Sequence, residues 1–184
     1  RTYFSPTKLS IPQYNFRFGY FLTEKYSLSI GADHMKYVMV SNQMSTINGK
    51  IKNSGTAYDG TYENQAFQIK PDFLLFEHTD GLNYENIELR RHDELFARKN
   101  INISFFEGFG VGLLVPRTNT TLLNYKRYDE FHVAGFGLGA VGGLNFEFFN
   151  HFFLQAEAKF GFCGMPDIRT TEFKSDRAKQ HFFF

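Results

Sequence analysis

The chain has 184 residues, room for one domain, and a formal net charge of +1 that gives no electrostatic case for binding nucleic acid. It holds 24 Phe, 10 Tyr and 16 Gly with no Trp, a mixture that favours strands joined by turns. Mean hydropathy is −0.34 and no run of 18 apolar residues occurs, which excludes a membrane-crossing helix but not crossing by strands, because those are only half apolar.

In chain order, residues 1–12 contain Pro6 and Pro12 and read as an extended loop remnant. Residues 13–22 alternate cleanly. Tyr14, Phe16, Phe18, Tyr20 and Leu22 share one face, and Gln13, Asn15, Arg17, Gly19 and Phe21 the other. Ten residues matches the roughly 9–11 of a tilted spanning strand. A turn at 23–25 leads to a strand over 26–40, with Tyr26, Leu28, Ile30 and Ala32 against Ser27, Ser29, Gly31 and Asp33. From 41 to about 82 the pattern is lost in a stretch rich in Asn, Thr, Gly and Ser, and 73–76 reads at most as a short strand within it.

Strand character returns over 83–96, turns at 97–99, and continues over 100–115, where Ile101, Ile103, Phe105, Phe109, Val111 and Leu113 oppose Asn102, Ser104, Phe106, Gly108, Gly110 and Gly112. A loop is expected over 116–130. The hairpin 131–162 then turns at 149–151. Its apolar face runs from His132 through Ala134, Phe136, Leu138, Ala140, Gly142, Leu144, Phe146 and Phe148, against a face of Gly135, Gly137, Gly139, Gly143 and Glu147. A polar stretch over 166–179 precedes the terminal 181–184.

Short turns (23–25, 97–99, 149–151) alternate strictly with long polar connections (41–82, 116–130, 166–179). That is the sidedness of an outer-membrane barrel, with short periplasmic turns and long extracellular loops. Tyr20, Phe21, Tyr26, Phe96, Phe148, Phe149, Phe152 and Phe153 gather at the short-turn side as a girdle. The expectation is an all-β, antiparallel up-and-down transmembrane β-barrel forming a single domain over 1–184. Six complete strands, one partial strand and one preceding Arg1 make eight, with both termini incomplete. A soluble barrel of lipocalin type also alternates, but the glycine-rich face suits a crowded interior better than a solvated exterior.

With runs such as YNFRFGYFLTEKYSLSIG, FEHTDGLNY and GFGVGLLVPRTN on that architecture, the chain resembles the small eight-stranded outer-membrane barrels of the OmpA transmembrane-domain and OmpX type, in the form found among Bacteroidetes outer-membrane β-barrel proteins. The resemblance implies a bacterial outer-membrane location, contact with outer-membrane lipid and lipopolysaccharide, and neither nucleic acid nor cofactor.

Phase places Arg17, Asp33, Glu88, Arg90, Glu147, Glu157 and Lys159 in the lumen. The interior of an eight-stranded barrel is just wide enough for side chains to fill, so the expectation is a charge network that plugs it, with a narrow ion path as the alternative. Two charges fall on the apolar face: Arg91, in phase with Ile87 and Leu89, and Glu107, in phase with Phe105 and Phe109. A midplane Arg facing lipid costs ~2–4 kcal/mol. Three accounts compete: a bulge that flips the phase, an interfacial position reached by snorkelling, or a wall that faces a partner protein.

Enzyme chemistry finds little support. Barrel lipid A deacylases carry His and Ser one residue apart, and none of the six histidines here has Ser two residues later. His78-Thr79-Asp80 and His92-Asp93-Glu94 are the only acid-rich His sites, and metal-ligand spacing is lacking. Cys163, the only cysteine, cannot form an intrachain disulfide and reads as an inward filler. The expected role is a structural or binding accessory in a larger outer-membrane complex, with an outer-membrane enzyme or a narrow channel as the alternatives.

Overall fold

The computed structural model describes residues 14–184, so the expected loop at 1–12 and Gln13 lie outside it. Ten strands and no helix occur among the described residues: β1 (Asn15–Phe21), β2 (Tyr26–Val38), β3 (Gln43–Ile51), β4 (Gly60–Ile69), β5 (Leu74–Arg98), β6 (Ile101–Leu122), β7 (Tyr128–Phe131), β8 (Gly135–Phe148), β9 (Phe152–Arg169) and β10 (Arg177–Phe183). The main sheet runs β1-β2-β5-β6-β8-β9-β10, every neighbour antiparallel, with β7 paired to β6. Among the described residues no pairing joins β1 to β10.

The sheet is strongly curled. Three strands separate β2 from β9 along it, yet Lys159 Nζ of β9 lies 2.7 Å from Asp33 Oδ2 of β2. A flat sheet would hold those strands ~19 Å apart at the usual inter-strand spacing. The side-chain alternation follows that curl. Ser27, Ser29, Asn86, Glu88 and Arg90 are buried on the inner face, while Ile30, Ile87, Leu89, Phe109, Val111, Leu138 and Phe160 are exposed on the outer one.

Two inward aromatics explain the glycine-rich face of β8. A Cβ on Gly137 would come within 2.7 Å of the Tyr84 ring, and one on Gly143 within 2.5 Å of the Phe106 ring. Only glycine leaves space for those rings to fill the interior. At Gly139 the nearest atom to such a Cβ is 3.7 Å away, an ordinary contact.

Several expectations are corrected. The patternless stretch 41–82 is a β-hairpin, β3–β4, followed by the start of β5. Its strands carry polar residues on both faces and are largely exposed, so no apolar period betrays them. Tyr58, Tyr62, Phe67 and Phe73 pack together with ring centroids 4.6–6.0 Å apart, bringing the 52–59 connection against Phe73. The loop expected over 116–130 shrinks to 123–127, because β6 runs on to Leu122 and β7 folds back on it. Pro116 sits where the β5–β6 register shifts, at a bulge between Glu77 and Leu82, a place where a missing N–H costs little. The strand expected from 131 breaks at 132–134. Ala134 donates its N–H to Leu114 O and is buried, not outward, and the alternation holds only from Gly135 on. β9 likewise continues through Pro166 to Arg169, and β10 opens at Arg177, inside the stretch expected to be a polar connection.

Gly143→Ala is therefore expected to cost about 1–3 kcal/mol, since the methyl group displaces Phe106 and the backbone of β9. Gly139→Ala is expected to stay within ~0.5 kcal/mol of the parent. A denaturant titration of both variants checks the contrast, which is what a filled interior demands.

Candidate functional site: an ion-pair cluster inside the curled sheet

Glu88 stands at the centre of the inner face with its side chain 2% exposed. Its oxygens receive Arg90 from two residues along β5, Arg17 from β1 at 3.4 Å and Lys159 from β9 at 3.0 Å. Arg17 and Lys159 also reach Asp33 of β2, at 3.6 and 2.7 Å. Arg90 extends the cluster to Glu157 of β9 at 2.9 Å and lies over the Phe106 ring, 4.9 Å from its centroid. Three cations and three carboxylates thus neutralise one another.

Neutral groups complete the shell. Asn86 donates from Nδ2 to Asp33 Oδ2 and accepts from Arg17 Nη2, while Arg17 Nη1 donates to Ser29 Oγ. Asn86 and Ser29 fall on the inner phase in the sequence, but nothing in their spacing marks them as members of a cluster.

Six of the seven charges assigned by phase meet here. Glu147 does not. It lies four residues from Gly143, the β8 residue opposite Glu157, which puts it ~13 Å nearer the 149–151 turn. Phase fixes the face of a strand residue but not its height. Glu147 instead lines the short-turn end of a cavity of about 1090 Å³, with His92, Glu94, Asn102, Ser104 and Asn145, and Arg17, Asp33, Arg90, Glu157 and Lys159 of the cluster border the same cavity. His92 Nε2 shares a hydrogen bond with Ser27 Oγ at 2.9 Å.

On the other side of the cluster the interior is apolar. Leu82, Tyr84, Leu114, Ala134, Cys163, Met165 and Ile168 form a buried core, with Met35, Tyr37, Phe76, Phe182 and Phe184 packed against it. Tyr84 donates its hydroxyl proton to Gly137 O. Cys163 is fully buried in this core, as its phase implies. His78, also fully buried, bonds Thr118 Oγ1 through Nδ1 and Gln180 Oε1 through Nε2. Its acid neighbour in the sequence, Asp80, has a side chain outside the described structure, as does Thr79.

Arg91 and Glu107 occupy the outer face as their phase implies, directly opposite each other on β5 and β6. The register between those strands is unbroken from Leu82 to Glu94, which removes the bulge account. Arg91 has a partner the sequence reading missed: Asp93, at 2.9 and 3.1 Å, itself 3.6 Å from Lys25. Arg91 also shares a rung with Tyr26, the first residue of β2 after the short turn.

No group of three or more His, Cys, Asp or Glu residues fit to hold a metal ion occurs among the described residues. Against known proteins the chain matches no family model, no curated protein and no solved structure.

Glu88→Ala leaves three cations around a buried gap, and a loss of about 3–5 kcal/mol is expected from such a broken buried cluster. Glu147→Gln is expected to change stability by less than ~0.5 kcal/mol. Equal losses in a denaturant titration would show that the two carboxylates share one network.

Proposed function

We propose that this chain is an integral outer-membrane β-barrel that serves as a structural or binding component of a larger outer-membrane assembly, with an interior closed to solute flow and no catalytic chemistry of its own. One observation carries the reading: the chain is polar inside and apolar outside. Glu88 and Arg90 are 2% and 7% exposed, while Phe109 and Ile30 are 76% and 60% exposed. In water such a surface would associate without limit. In a bilayer it is the surface that lipid solvates, and the strand alternation it requires is the one present. The layered interior supports closure, with a hydrophobic seal above a neutralised charge cluster.

Lipid and lipopolysaccharide contact the outer apolar belt, and other outer-membrane proteins are the partners of the β3–β4 hairpin and the outer walls. The chain refolded with lipid vesicles is expected to float with them through a density gradient and resist an alkaline wash. In a planar bilayer it gives no steady unit conductance. A monodisperse protein in detergent-free buffer would contradict the membrane reading, and a stable single-channel step would contradict the closed interior.

A further inference from the structure

We infer that the β5–β6 wall is the contact face for a second copy of this chain, joined by reciprocal Arg91–Glu107 pairs. The inference rests on the membrane reading above and names one partner for it.

Arg91 and Glu107 are opposite charges on neighbouring strands of one rung, with Cα atoms ~4.5–5.5 Å apart as in any antiparallel pair. Both are exposed on the outer face, amid the exposed side chains of Ile87, Leu89, Phe109 and Val111. Arg91 spends two N–H groups on Asp93 and keeps further donors. Glu107 has no Lys, Arg or His nitrogen within 4.0 Å of its carboxylate among the described residues. An acceptor that meets Arg91 only beyond 4.0 Å thus stands beside an incompletely used donor, where the apolar wall borders the Lys25–Asp93 rim.

Two copies inserted in the same direction can be related by a two-fold axis along the membrane normal. Place that axis between β5 and β6 at this rung. Arg91 of each copy then faces Glu107 of the other, and the second pair follows from the symmetry. Any side-by-side pair of opposite charges is self-complementary under such an axis. Strands tilted ~35–45° cross where the two walls meet, so the contact concentrates on Arg91, Glu107, Leu89 and Phe109. Apolar side chains gain little by leaving lipid for one another, so the charge pairs fix the partner and the register. A different partner protein would need a matching pair of its own, whereas a second copy brings one by construction.

The test uses charge swaps, read by size and by co-purification in lipid nanodiscs. The parent chain is expected to run as a dimer. Arg91→Glu presents two carboxylates and Glu107→Arg presents two guanidinium groups, so each variant alone is expected to lose self-association by ~10-fold or more. Mixed with different tags, the two variants are expected to co-purify, because their walls are again complementary. Flotation with vesicles verifies that each variant inserts; where a swap does not, Glu107→Gln, which removes the charge without reversing it, replaces it and is read alone for loss of self-association. A parent chain that floats but stays monomeric overturns the dimer and leaves the membrane reading intact, whereas one that does not float overturns both. Single variants that dimerise like the parent, or inserted variants that fail to pair when mixed, also overturn it.

Discussion

Everything else in this structure depends on how one carboxylate is removed from water. Glu88 is the constraint. A carboxylate so buried needs cations at contact distance, and it takes one from its own strand, one from β1 and one from β9. Those partners come from distant parts of the sheet, so meeting them requires the sheet to curl. The curl turns the alternate residues outward, and those residues are Phe, Ile, Leu and Val. The inside-out surface is thus the geometric counterpart of the inner ion pairs.

The interior is organised in layers along the strands. Tyr84, Met165 and Ile168 fill it towards the long connections, the ion pairs neutralise its middle, and His92, Asn102 and Glu147 line the short-turn end of a cavity that reaches the ion pairs. The glycines of β8 join the layers, since Gly137 and Gly143 make room for Tyr84 and Phe106, which bound the cluster on its two sides. Charge neutrality and filling act together around Glu88, while Arg17, Asp33, Glu157 and Lys159 also border the cavity.

Where one face of a strand is apolar, the sequence is readable by eye: Ile30, Phe109 and Leu138 mark their strands, and the same period placed Arg17, Asp33, Glu88, Arg90, Glu157 and Lys159 inside. Legibility ended for three physical reasons. In β3 and β4 both faces are polar, so strand and loop look alike. At Pro116 and over 132–134 the chain continues through a bulge or a jog, where period and propensity mislead. Height along the strand axis is set by register between strands, which no single strand encodes, and that is why Glu147 was grouped with charges it does not touch. Asp93 was a plainer miss, since its spacing of two residues from Arg91 puts both on one face of β5.

The central claim is that the outer face meets lipid while Glu88, at the centre of the charge cluster, meets neither lipid nor water. Paramagnetic relaxation measured on the chain in nanodiscs tests it most directly, with one probe attached to the acyl chains and another dissolved in the buffer. The account predicts that Ile30, Phe109 and Leu138 are broadened by the acyl-chain probe alone, and that Glu88 is broadened by neither. Strong broadening of Phe109 or Leu138 by the aqueous probe would contradict it.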